Sequence, residues 1–239
     1  MLTCEKPRRR LRIFHYPFLL VKRVLPKSKM LLLAHFKLPA GNYLRRMKKM
    51  AVFASGTGTN AQKIIDHFSL AGKKVQVGLI VCNKPGAGVL QIAARENIPT
   101  LIIEKERFFR GDAYLPELRA HQTDFIVLAG FLWKIPQALI NAYPRRIINI
   151  HPALLPRYGG KGMYGSFVHE AVLSAGDPET GITIHYVDEH YDHGDIIFQA
   201  TCAIDKGDNT ETLSKKIHAL EHRHYPEVIE NVINSTDHV

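Results

Sequence analysis

From residue 50 onward, short apolar runs alternate with stretches in which apolar residues recur every three or four positions. MAVFA (50–54), KVQVGLIV (74–81), PTLIIE (99–104), DFIVLAG (124–130) and RRIINIHP (145–152) predict strands. Between them, NAQKIIDHF puts Ile64, Ile65 and Phe68 on one side of a helix, and AGVLQIAAREN keeps the helical period. Residues 112–122 also look helical, and PQALINAY opens with Pro136 at a first helical position. DFIVLAG is apolar almost throughout, as a strand covered on both faces must be. Such alternation implies a mostly parallel sheet with helices on both sides.

The pattern then changes. SFVHEAVLSAG is helical up to Gly176, whereas GITIHYVD (181–188) and the segment around DIIFQATCAI (195–204) alternate with a period nearer two, as antiparallel or edge strands do. NTETLSKKIHALEHRHYPEVIENVI predicts a long closing helix, with Thr210 as N-cap and a kink or break at Pro226. The reading is one mixed-sheet α/β domain over residues 48–239, preceded by an extension over residues 1–47.

A composition 46% hydrophobic and 23% charged belongs to a folded globular protein rather than a disordered one. Three widely spaced cysteines without a C-x-x-C argue against a disulfide framework or a thiolate metal site and favour a reducing, cytoplasmic compartment. The formal charge of +10 invites a nucleic-acid reading until it is located. Residues 1–49 hold 14 Lys and Arg against the single acid Glu5, leaving 18 basic and 21 acidic residues for the rest. The body therefore lacks the electrostatic footprint of a nucleic-acid binder. The leader has apolar runs broken by Lys and Arg, none near the roughly 18 residues of a membrane span, and it lacks the single h-region of a signal peptide. A start-site artefact is favoured, with Met47 or Met50 opening the true chain; a transit peptide or a basic membrane-surface or RNA-binding arm are the alternatives.

Between the first strand and helix lies SGTGTNAQ (55–62), which matches G-x-G-x-x-A. Glycines let the backbone approach an anion, and a helix N-terminus offers free N–H groups and positive potential. A dinucleotide site also wants an acid at the end of the second strand, where this chain has Asn83 and Lys84. The loop suits a phosphate that is not NAD, against the plainer reading of a tight turn.

Asn149 and His151 end the fifth strand two residues apart, so they share a face and the rim on which the Gly56–Asn60 loop lies. The polar stretch VDEHYDHGDII (187–197) offers Asp188, Glu189, Asp192 and Asp195, any of which can reach His151, orient its ring and favour its protonated form. An amide, an imidazole and a carboxylate without a Ser or Cys nucleophile suit direct acyl transfer to an amine. The alternative is a hydrogen-bonded structural histidine before Pro152. Histidines 190, 193, 218, 222 and 224 lack the companions of a zinc motif.

From about Lys48 to Ile233 the chain resembles the phosphoribosylglycinamide formyltransferase family, folate-dependent enzymes of purine biosynthesis. FASGTGTN, VLAGFLWKIP, INIHPALLPRYGGKGMYG, HYVDEHYDHGDIIFQ and HALEHRHYP carry the resemblance, in that order. It implies a Rossmann-like formyltransferase fold and transfer of a formyl group from 10-formyltetrahydrofolate, as co-substrate, to glycinamide ribonucleotide, through a tetrahedral intermediate and without a metal. By the resemblance, Asn149, His151 and Asp192 are catalytic. Gly58, Thr59, Asn60, His218 and Glu221 bind glycinamide ribonucleotide. Leu132, Trp133, Lys134, Ile135, Asn149, Asp188 and Asp192 contact the folate. Trp133 and Lys134 depart from the Met-Arg of some members, His218 stands where some have Gln, and RYGGKGMYGS lacks their H-x-H. The partners implied are small molecules, with neither nucleic acid nor membrane for the body; homo-oligomerisation is left open. Methionyl-tRNA formyltransferase is the main rival, sharing N-I-H-P-x-L-L-P but normally carrying a further C-terminal domain.

Overall fold

The computed structural model describes residues 46–236, so the expected extension lies almost wholly outside the described residues. Seven strands form one sheet: β1 (Lys48–Ala54), β2 (Val75–Cys82), β3 (Thr100–Ile102), β4 (Phe125–Leu128), β5 (Ile147–His151), β6 (Glu179–Tyr186) and β7 (Ile196–Ala203). Their order is β3-β2-β1-β4-β5-β6-β7, parallel from β3 to β5, with β6 antiparallel to β5 and β7 antiparallel to β6. The helices are α1 (Thr59–Phe68), α2 (Gly88–Arg95), α3 (Lys105–Phe109), α4 (Leu115–Ala120), α5 (Gln137–Ala142), α6 (Ser166–Ala175) and α7 (Thr210–Ser235).

The apolar runs of the central strands follow from two cores. Along β1, Met50, Val52 and Ala54 join one apolar cluster, while Ala51 and Phe53 join the other, as alternation across a sheet requires. The first cluster takes Ile64 and Phe68 of α1, Val89 of α2, and Tyr225 and Ile229 of α7. The second takes Phe108 of α3, Leu118 of α4 and Leu139 of α5. At ~25 cal/mol per Å² of apolar area buried, these doubly covered strands supply a large share of the folding energy.

β1 lies between β2 and β4, and the chain leaves β1 toward one cluster and β4 toward the other. That divergence opens a crevice beyond the carboxyl ends of the strands. Ser55 joins its two sides: its N–H donates to the Gly130 carbonyl (3.1 Å) and its Oγ accepts the Leu132 N–H (3.0 Å).

Several elements differ from the sequence reading. The helix expected over 112–122 shrinks to α4, and the short α3 before it was not anticipated. Pro136 is the N-cap of α5 rather than its first residue. Asn209, not Thr210, caps α7: its side chain accepts the N–H groups of Glu211 (2.9 Å) and Thr212 (3.0 Å), while Thr212 Oγ1 accepts the Asn209 N–H (2.9 Å). α7 also runs unbroken through Pro226 for 26 residues. Proline costs a helix about 3 kcal/mol, but the residues flanking it are pinned. Val228 and Ile229 are in the core, and the fully buried Tyr225 hydroxyl donates to the Leu128 carbonyl at 2.8 Å.

Candidate active site

The crevice is a cavity of about 1010 Å³. All the residues that the resemblance assigns to the site line it: Gly58, Thr59, Asn60, Leu132, Trp133, Lys134, Ile135, Asn149, His151, Asp188, Asp192, His218 and Glu221; Glu189 and Asp195 do not.

At one end is the loop after β1. Gly58 has φ +84°, and a Cβ there would stand 2.8 Å from the Val89 side chain, so glycine is required both by conformation and by the approach of α2. α1 begins at once, with no side-chain cap and no acid in its first turn, leaving its positive end open to an anion. The Asn60 amide donates to Glu221 Oε2 across the cavity floor at 2.9 Å, while Asn60 Oδ1 is buried without a partner. Burial raises the Glu221 carboxyl above its ordinary value, outweighing the Asn60 hydrogen bond and the pull of His218, whose Nε2 is 4.0 Å away. Both α7 residues lie one turn apart on the cavity face.

At the centre, the register of β5 against β6 sets the chemistry. Asn149 pairs with His185, and His151 with Thr183. Asn149 Nδ2 donates to His185 Nε2 at 3.1 Å, and His185 Nδ1 donates to the Tyr186 carbonyl at 2.8 Å, which fixes the orientation of the ring and of the amide. The Asp192 carboxylate lies between two rings, with Oδ2 3.6 Å from His151 Nδ1 and Oδ1 3.7 Å from His185 Nε2. Asp192 is held from the other side by the Gly160 N–H at 2.9 Å. Of the four acids offered by the loop after β6, Asp192 is the one that reaches His151.

Burial disfavours the charged form of Asp192, but the two rings and the Gly160 N–H together outweigh it and hold the carboxyl below its usual range. For His151 the balance is opposite. Burial dominates and lowers the imidazole below its ordinary value, despite Asp192 and the Tyr158 carbonyl, and His185 lowers it further. Asp192 favours the protonated His151 as a carboxylate was expected to, but desolvation outweighs it in the free protein. His151 Nε2 donates to the Tyr158 carbonyl at 2.7 Å.

At the other end, Leu132 and Lys134 are exposed and Ile135 is buried. Trp133 packs against Phe108, Phe109 and Phe131, with ring centroids 5.7, 5.8 and 6.2 Å away. Asp188 lies in the loop after β6, its Oδ1 accepting the His190 N–H at 2.8 Å.

Sequence reasoning missed His185. Its signal was present in GITIHYVD, where an imidazole faces inward on an alternating strand, but the partner Asn149 follows only from the register. It also missed His169, buried on α6 and lining the same cavity.

A doubly covered α/β sheet with an anion-ready loop and an amide–imidazole–carboxylate group at its crevice defines a transferase of the formyl type. The chain belongs to that family: the family model described as formyl transferase matches residues 48–229. Its relatives narrow the comparison. Phosphoribosylglycinamide formyltransferase of Bacillus subtilis is 39% identical over 191 residues, 78% of this chain and 95% of that protein. The chloroplastic phosphoribosylglycinamide formyltransferase of Arabidopsis thaliana is 43% identical over 189 residues, 77% of this chain, which spans only 65% of that protein's length. The crystal structure of phosphoribosylglycinamide formyltransferase from Bacillus halodurans superposes with a TM-score of 0.72 at 38% identity, covering 79% of this chain and 97% of that one.

Proposed function

We propose that this chain transfers the formyl group of 10-formyltetrahydrofolate to the primary amine of glycinamide ribonucleotide. The observation that carries the proposal is one cavity joining the open end of α1 and Glu221 to the Asn149–His151–Asp192 group. The phosphate sits on Gly58, Thr59 and Asn60, with Glu221 and His218 turned to the ribose end of the same molecule. The pterin end of the folate lies along Leu132–Ile135 and the Asp188–Asp192 loop, and the formyl group then falls between the two ligands, beside Asn149.

The amine attacks the formyl carbon, a carbon–nitrogen bond forms, and the carbonyl electrons move onto oxygen. Asn149 has one amide hydrogen committed to His185, leaving the other for that oxygen. His151 Nε2–H is held by the neutral Tyr158 carbonyl, with which an oxyanion competes on favourable terms. Burial keeps the ring neutral at rest. A developing oxyanion adds to the pull of Asp192 and favours uptake of a solvent proton by the ring, so stabilisation is greatest where the oxygen is most negative. Collapse of the intermediate breaks the bond to the folate nitrogen, which takes up a proton.

The test offers 10-formyltetrahydrofolate with glycinamide ribonucleotide, initiator methionyl-tRNA or an amino-sugar nucleotide. Formylation of the ribonucleotide is expected; transfer only to tRNA, or to none of the three, would sink the proposal. We also propose that residues 1–46 serve neither folding nor catalysis, and a chain opening at Met47 should keep full activity.

A further inference from the structure

The mechanism above leaves one proton without a destination. When the amine nitrogen bonds to the formyl carbon it becomes positively charged and must shed a proton before the intermediate can collapse forward. Asn149 has no basic site, His151 presents its Nε2–H to the oxyanion and turns Nδ1 toward Asp192, and Asp192 already accepts the Gly160 N–H and faces the His151 and His185 rings.

His169 is unaccounted for. It is the fourth residue of α6 and only 4% exposed, yet it lines the cavity. Neither ring nitrogen has a hydrogen-bond partner among the described residues, and Nδ1 is enclosed without one. A buried imidazole without partners forgoes the hydrogen bonds it makes in water, a cost of about 1–3 kcal/mol, so this ring is poorly explained as structural support. Its surroundings also keep it neutral. Burial lowers it first, and His218 and His151 add to the effect. Its own helix presents its positive end there, with Gly165 providing no side-chain cap and no acid in the first turn. A cationic imidazole for a phosphate is therefore disfavoured, and a ring with an unused lone pair is retained.

His169 lines the same cavity as His151, at its formyl end, and His218, at its ribonucleotide end; with Nδ1 enclosed, Nε2 is the nitrogen left for a ligand there. The attacking amine joins those two ends. Resting on the formyl-transfer reading, we propose that His169 is the base that receives the proton shed by the attacking amine. The N–H bond of the tetrahedral intermediate breaks and its proton goes to the imidazole. As the carbon–nitrogen bond to the folate breaks, the leaving nitrogen takes up a proton, and the imidazolium, disfavoured in this setting, returns its own through solvent. No proton is consumed overall. A base that is uncharged at neutral pH is always ready, and the protonated amine of such an intermediate is acidic enough to need no stronger one.

The test compares His169→Asn and His169→Ala with the unaltered chain. Removing a general base typically costs 10²–10⁴-fold, so kcat should fall at least ~100-fold, while KM for both substrates stays within about threefold and thermal unfolding remains cooperative. Imidazoles of graded basicity, added to His169→Ala, should restore turnover in proportion to their basicity. Should His169→Ala fail to fold, His169→Gln carries the kcat comparison alone. A kcat within twofold of the unaltered chain in a folded variant would overturn the assignment. Rescue that ignores basicity would overturn it too, because a space-filling role gives that result. An inactive unaltered chain would instead overturn the function proposed above.

Discussion

Replacing Asp192 by Asn removes a charge while keeping the shape, and Asn can still accept the Gly160 N–H. The carboxylate Oδ2 is 3.6 Å from His151 Nδ1. With an effective dielectric of about 20, a full charge pair at that distance is worth about 4–5 kcal/mol. Because burial keeps His151 neutral at rest, this attraction develops only as the ring gains charge in the transition state. Each 1.36 kcal/mol is tenfold in rate, so half to three-quarters of the pair predicts a fall in kcat of roughly 50- to 350-fold. The fold holds Asp192 below its ordinary value, so its ionised form is the stabilised one. That contribution is present above the ordinary carboxyl range and disappears as pH falls through the lowered value. At neutral pH the aspartate is therefore charged, and the comparison reads its full effect. Formyl transfer followed at saturating substrates gives kcat, and varying each substrate gives KM. If Asp192 acts through His151, then Asp192→Asn combined with His151→Ala should lose little more than the worse single variant. A kcat within threefold of the unaltered chain, a loss confined to KM, or strict additivity of the two losses would refute the reasoning.

Glu221→Gln should raise KM for the ribonucleotide and also raise Tm at neutral pH. A carboxyl whose pKa is raised by burial contributes stability below its unfolded value and loses it as pH climbs through the folded one, so the Tm gain should vanish below about pH 4.5. Gly58→Ala introduces a Cβ 2.8 Å from Val89 at a φ of +84°, and denaturant unfolding should register a loss of about 1–3 kcal/mol together with weakened ribonucleotide binding. Tyr225→Phe leaves the Leu128 carbonyl without its 2.8 Å donor, and a loss of about 1–2 kcal/mol with KM unchanged is expected.

The strands were legible because their apolar runs are dictated by two facing cores, and β1, β2, β4 and β5 needed only boundary adjustments. α3 was not legible: five residues with Phe108 alone buried present no period to detect. Pro226 misled for the opposite reason, since local propensity argued for a break and packing of Tyr225, Val228 and Ile229 overrode it. In the site, Asn149 and His151 declared themselves by their spacing, and the loop after β6 by its polarity. The resemblance alone chose Asp192 among the four acids; its reach to His151, and that burial would outweigh it there, depended on distances no spacing encodes. His185 and His169 were hidden in segments otherwise explained as strand and helix.

The pairing of Asn149 with His185 and of His151 with Thr183 has an evolutionary consequence. The same register that aligns these side chains also buries Ile182 and Ile184. Because strand side chains alternate, a slip of one residue would turn those isoleucines onto the polar face that Thr183 and His185 now occupy and dismantle the amide–imidazole pair together. Selection for turnover therefore also polices the fold at this seam. Mutations that loosen β5 from β6 are exposed to purging through lost catalysis before they cost enough stability to unfold the chain, and the antiparallel half of the sheet should tolerate drift least where it carries no ligand contact at all.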